Sequence, residues 1–145
     1  MIRVDKNHIP AVGNEIRLFA VMRNESVRLR FWLDHYRGIG VNRFFVVDNA
    51  SSDDTAEILL NQPDVHLYSS DEDFQLSQSG RLWLLALMAE HGVGYWCLVA
   101  DADELLAYPH WETVRLRTLS RALDAQGHDV LECLLLDMYS SAPVC

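Results

Sequence analysis

The chain has 145 residues, half of them apolar, with 21 acidic against 12 basic side chains and a formal net charge of −9. That length suits one domain with its own core, while the charge repels polyphosphate backbones, so nucleic acid is not an expected partner. No apolar run reaches the roughly 18 residues of a membrane span, and MIRVDKNHIP at the N-terminus lacks the apolar stretch of a signal peptide.

Three cysteines, Cys97, Cys133 and Cys145, show no metal-ligand spacing, and an odd count argues against a disulfide framework. A reducing, cytoplasmic setting is the expectation. Residues 1–15 are polar and read as an irregular segment, with one domain over 16–145.

Ile16 to Met22 (IRLFAVM) reads as a first strand. Over Ser26 to Arg37, Leu29, Trp32, Leu33 and Tyr36 recur at i, i+3, i+4 and i+7, which predicts an amphipathic helix that Gly38 and Gly40 end. Arg43 to Val47 is a second strand. Asp53 or Asp54 caps a short helix through Leu60, and Val65 to Tyr68 is a third strand. A polar loop, SSDEDFQLSQSG, precedes a helix from about Ser79 to His91 whose expected buried stripe is Leu82, Leu85, Ala86 and Ala89.

Tyr95 to Ala100 is a fourth strand, apolar throughout as for a strand covered on both faces. A helix near Trp111 to Ala125, using Leu116, Leu119 and Leu123, and a fifth strand at Val130 to Leu136 complete the series. Strands alternating with helices predict an α/β fold: a three-layer, doubly wound, mostly parallel sheet. In such sheets ligands bind beyond the carboxyl ends of the strands. Those ends carry Arg23-Asn24-Glu25, Asp48-Asn49-Ala50-Ser51 and Asp101-Ala102-Asp103-Glu104.

Asp101 and Asp103 alternate on an extended segment, so both carboxylates can point one way. Two hard oxygen ligands suit Mg²⁺ or Mn²⁺, which shares its shell with water and substrate phosphates. The competing reading is a helix cap with first-turn acids. Asp48 offers a fixed carboxylate to a base or ribose donor, or else serves an Asx turn. Neither GxGxxG nor a P-loop is present. A haloacid-dehalogenase-type phosphotransferase also uses Asp-x-Asp, but after its first strand rather than its fourth.

Taken together, VMRNES, FWLDHYRGIGV, FFVVDNASSDDT and VADADELL, in that order over about residues 16 to 137, resemble the family 2-like glycosyltransferases of GT-A fold, in the bacterial branch with a DADE-type metal motif. The resemblance implies a nucleotide-sugar donor, a UDP-sugar first among them, and a glycan, lipid or protein acceptor. It implies that Asp48 and Asn49 face the nucleotide, with Asn24, Glu25 and Ser51 enclosing it. Asp103 is then the direct ligand of Mn²⁺ or Mg²⁺, with Asp101 nearer the ribose or a bound water. Arg81 becomes a ligand contact and Asp137 the candidate base. The family's late acceptor-side segment has no counterpart here, so the expected content is the donor half, catalytic or serving as a non-catalytic nucleotide-sugar-binding module. An exposed sheet edge makes a homo-oligomer an expectation as well.

Overall fold

The computed structural model describes residues 1–136. Five strands, β1 (Ile2–Arg3), β2 (Ile16–Met22), β3 (Arg43–Asp48), β4 (Val65–Ser69) and β5 (Trp96–Val99), form one sheet in the order β1-β4-β3-β2-β5. Four helices, α1 (Ser26–Ile39), α2 (Thr55–Leu60), α3 (Arg81–His91) and α4 (Leu116–Ala125), connect or flank them. The β4, β3, β2 and β5 ladders are all parallel, while β1 joins β4 antiparallel. The α/β, mostly parallel expectation therefore holds, with helices on both faces of the sheet.

Period-two alternation sorts the strands' side chains between two cores. Leu18, Ala20, Phe44, Val46 and Leu67 pack with Leu29, Trp32, Leu33 and Tyr36 of α1 and with Leu59 of α2. Phe19, Phe45, Val47 and Tyr68 face the other way and pack on Trp83 and Leu87 of α3. The α1 stripe is the one that its spacing predicts, and each of those four residues is 0–1% exposed. Its end is set by Gly40, whose φ of 108° lies where a side chain is strained; its N–H returns to the Tyr36 and Arg37 carbonyls.

Four expectations need correction. Residues 1–15 are not wholly irregular, because Ile2 and Arg3 pair with Ser69 and Tyr68. The buried face of α3 is Trp83 and Leu87, whereas Leu82 is 46% and Leu85 56% exposed. This helix is apolar nearly all round, so periodicity leaves its phase undefined. Trp83 settles it by burying its ring and donating Nε1–H to Glu72 Oε2 at 3.0 Å. β5 is not covered on both faces: it pairs with β2 alone, lies at the sheet edge, and leaves Val99 52% exposed. Finally, 130–136 forms no strand. Apolar content gives a strand only where a ladder partner exists, and here Leu134, Leu135 and Leu136 remain exposed.

At the amino end of the sheet, parallel register sets Arg17 opposite Arg43. Glu15, 6% exposed, resolves this clash: it takes Arg17 Nη2 at 3.1 Å and Arg43 Nε at 2.8 Å. Arg17 also donates Nη1–H to the His91 carbonyl and stacks on the Tyr95 ring at 3.4 Å. Removing one partner of a buried ion group leaves the others uncompensated, so Glu15→Ala should cost about 3–5 kcal/mol in denaturant unfolding.

Two histidines set a pH dependence. Burial holds the imidazole of His66 below its ordinary 6.5 despite Asp5 beside it. His91, under the Tyr68 hydroxyl at 2.8 Å, is likewise lowered by burial. Below 6.5 the unfolded chain takes up protons that the folded chain refuses. Melting temperature should thus be flat above about pH 6.5 and fall as pH drops through that value. His91→Gln, which keeps a partner for Tyr68, should flatten part of the slope.

Candidate functional site

The strand order places the switch point between β2 and β5, since the chain leaves β2 towards β3 on one side and returns to β5 on the other. Beyond this point lies a cleft of about 550 Å³ lined by Met22, Arg23, Glu25, Asn49, Asp101 and Asp103, among others. Three polar strand ends expected to share one edge do so. The parallel pairings that bring them together are Met22 with Asp48 and Phe19 with Val99.

The loops after β2 and β3 are locked to each other. Asn24 N–H donates to Ser51 Oγ at 2.9 Å, and Ser52 N–H donates back to Asn24 Oδ1 at 2.7 Å. Glu25 N–H donates to Thr55 Oγ1 at 2.8 Å, and Ser26 N–H to Asp53 Oδ2 at 3.1 Å. Asp53 also accepts from Thr55 N–H at 3.0 Å, so it serves the starts of α1 and α2 together. Bonds from Thr55 and Ser26 hold its carboxyl well below the usual carboxylate range. Asn24 takes φ 58° and Ala50 φ 53°, a region that asparagine tolerates and alanine rarely enters. Asn24 and Ser51 are thus structural fasteners of the cleft wall.

Asp48 is 5% exposed at the end of β3. Its Oδ2 accepts from Ser51 N–H at 3.2 Å, but its Oδ1 is buried and has no hydrogen-bond partner among the described residues. A buried carboxylate oxygen left unpaired is costly, typically by about 1–3 kcal/mol. Next to it, Asn49 sends Nδ2–H to the Ser70 and Glu72 carbonyls, both at 3.0 Å, and so anchors the polar loop beside the cleft.

No helix follows Asp101 directly; residues 101–115 are turns and extended chain until α4 begins. The acids therefore do not cap the next helix. Instead Glu104 Oε2 accepts from Asp101 N–H at 3.1 Å and closes a turn. Side chains of α1 hold this turn from behind. Trp32 Nε1–H donates to the Asp101 carbonyl at 2.8 Å, Tyr36 Oη–H to the Glu104 carbonyl at 3.2 Å, and His35 Nε2 meets the Leu106 carbonyl at 3.0 Å. His35 and Trp32, the latter expected from its spacing to pack in the α1 stripe, are the frame on which the acidic segment hangs.

Desolvation, with Glu104 and Asp103 nearby, pushes the Asp101 carboxyl above its ordinary range. Arg28 offsets part of the negative charge: its Nε lies 3.1 Å from Glu25 Oε2 and its Nη1 3.8 Å from Asp103 Oδ2. Asp101 and Asp103 also border a second, wider groove of about 2000 Å³ between β5, α4 and residues 129–136. The acid pair stands between the two cavities.

Of the residues singled out from sequence, Glu25, Asn49, Asp101 and Asp103 line the cleft, whereas Asn24, Asp48 and Ser51 do not. Arg81 does not line it and instead bonds Gln78. Asp137 lies outside the described residues. Sequence reasoning named Arg23 at a strand end without giving it a role, and missed Phe74; both are in the lining. Their signals were slight: a basic residue directly after β2, and the one aromatic in an otherwise polar loop.

Trp32→Phe keeps most of the core ring but removes its bond to the Asp101 carbonyl. Unfolding free energy should drop by about 1–3 kcal/mol, and hydrogen exchange should show amides 101–106 opening faster while β2 and β3 keep their protection.

No family model matches the chain. Over 98 residues it is 33% identical to a glycosyltransferase family 92 protein of rice, Oryza sativa subsp. japonica. That match takes in 66% of this chain but only 16% of the rice protein's length. It meets the family 2-like resemblance at the coarser level, a glycosyltransferase relative. The family number differs, and the match carries neither family 2 nor its bacterial branch.

Proposed function

We propose that this chain carries the donor-binding half of a glycosyltransferase and takes a nucleotide-diphosphate sugar in the cleft beyond β2, β3 and β5. The observation that carries the reading is the convergence of Asp101 and Asp103 with the β2 and β3 ends, Glu25 and Asn49 among them, in one cleft at the switch point. The glycosyltransferase relative supports it independently. The GT-A form of the fold belongs to this proposal and is compatible with the parallel sheet.

Asp48 Oδ1 would accept from the nucleobase or ribose, a role that its burial makes selective: the site loses most with a ligand that lacks the donor. Asn49 and the Asn24–Ser51 clasp hold that carboxylate and its neighbouring backbone in place. Glu25, tied to Arg28, forms the outer wall.

The donor set fits a hard divalent cation. Among the described residues no cluster of three His, Cys, Asp or Glu is present; Asp103 would bind the ion directly with Asp101 beside it, two carboxylates of the cleft lining. Such a shell, completed by water and phosphate oxygens, is what Mg²⁺ or Mn²⁺ takes. The crowding that raises the Asp101 carboxyl is of the kind a cation relieves. When bound, the ion would supply charge stabilisation to the departing diphosphate. The chain's own part is to hold the two carboxylates in register through Trp32 and Tyr36, and to exclude alternative geometries.

Isothermal titration of UDP with Mn²⁺, and again with EDTA, tests the reading. Binding in Mn²⁺ should weaken about tenfold or more in Asp103→Ala, the worth of one charged contact. Equal affinity in the variant would remove the metal role assigned to Asp103.

A further inference from the structure

We infer that Arg23 is the cleft's phosphate-binding residue, giving the site an affinity for the diphosphate that does not depend on a metal ion. This rests on the donor-site reading above and extends it to a residue that neither the sequence motifs nor the rice relative assigns.

The inference starts from charge. A diphosphate entering this cleft meets Glu25, Asp101 and Asp103 on its walls, in a chain of net charge −9. Every negative group there raises the cost of a second anion unless a cation faces it. Arg23 is the sole basic residue in the cleft's lining. It follows Met22 directly at the end of β2, so the central strand fixes its backbone at the switch point.

Arg28, the arginine nearest the cleft's acids, is already engaged, held between Glu25 and Asp103. Arg81 bonds Gln78 and stands outside the lining. Among the described residues the Arg23 side chain has neither an ion pair nor a hydrogen bond, although acids surround the cleft. A guanidinium offers a rigid fork of donors that matches phosphate oxygens, two at a time. An exposed, unspent fork at the mouth of an acidic cleft is placed to meet the ligand's charged part, while Asp48 meets its nucleoside part.

The division of labour gives a direct test with the full chain in EDTA, by isothermal titration of UDP, uridine and inorganic pyrophosphate. Wild type should bind UDP more tightly than uridine without metal, and added salt should narrow the gap. Arg23→Gln should weaken UDP and pyrophosphate by roughly ten- to a hundredfold, the range for a charge-assisted hydrogen bond, and leave uridine unchanged. Arg23→Lys should restore part of the loss, and neither variant should shift the melting temperature, because the side chain is exposed.

If Arg23→Gln binds UDP in EDTA as tightly as wild type, the inference is overturned while the donor site stands. Equal losses for UDP and uridine overturn it too, by assigning Arg23 to the nucleoside. Should wild type bind none of UDP, GDP, CDP or ADP even with Mn²⁺, the donor reading itself falls and this inference with it.

Discussion

Everything at the cleft depends on β2 carrying a parallel ladder on each side. In a parallel sheet all carboxyl ends face one edge, so fixing the registers of β2 with β3 and with β5 fixes where three loops begin. The register leaves Met22 beside Asp48 and brings the chain out of Val99 towards the same edge. A one-residue slip of β2 would send Leu18 and Ala20 to the α3 face and Phe19 to the α1 face. The two separate cores on either side of the sheet resist that slip, and so indirectly hold the site.

The acidic turn after β5 shows how a charged segment is kept in place without a helix of its own. Its backbone carbonyls are held by side chains of α1, an element far away in sequence but packed beneath the sheet. Trp32 and Tyr36 bury their rings while spending their polar atoms on Asp101 and Glu104. The backbone carries the anchoring bonds to α1, while Glu104 closes the turn and Asp103 faces Arg28 at 3.8 Å. That arrangement suits chemistry performed at the carboxylate tips, and it links α1 packing to the position of the acids.

Much of this was legible in the sequence where a pattern had one solution. The α1 stripe, the strand cores and the three polar strand ends follow from periodicity and from the rule for parallel sheets. α3 was illegible because leucines on every side leave helical phase to be decided by the fit of Trp83. β5 read as a central strand, since an edge strand of apolar residues has the same local pattern; only its neighbours differ. The stretch at 130–136 has strand composition without a partner, and composition cannot supply one. Within the site, Asp48, Asp101 and Asp103 stood out because charge at the end of an apolar run is conspicuous. Asn24 and Ser51 were harder to sort, as the same residues that touch ligands also tie loops together. Arg23 stands inside VMRNES without a role that its spacing assigns, and its place as the basic residue of the cleft's lining appears only in the folded chain.

Under the proposed function, the unpaired oxygen of Asp48 would tie the lifetime of the fold to ligand binding. A carboxylate kept from water with one oxygen unserved raises the free energy of the folded state alone, because the unfolded chain hydrates it fully. Any molecule that donates to it binds the folded state selectively, and by mass action draws population away from open forms. Resistance to proteases would then follow ligand supply. The empty chain would be the form most readily cleared, and the occupied chain the one that accumulates.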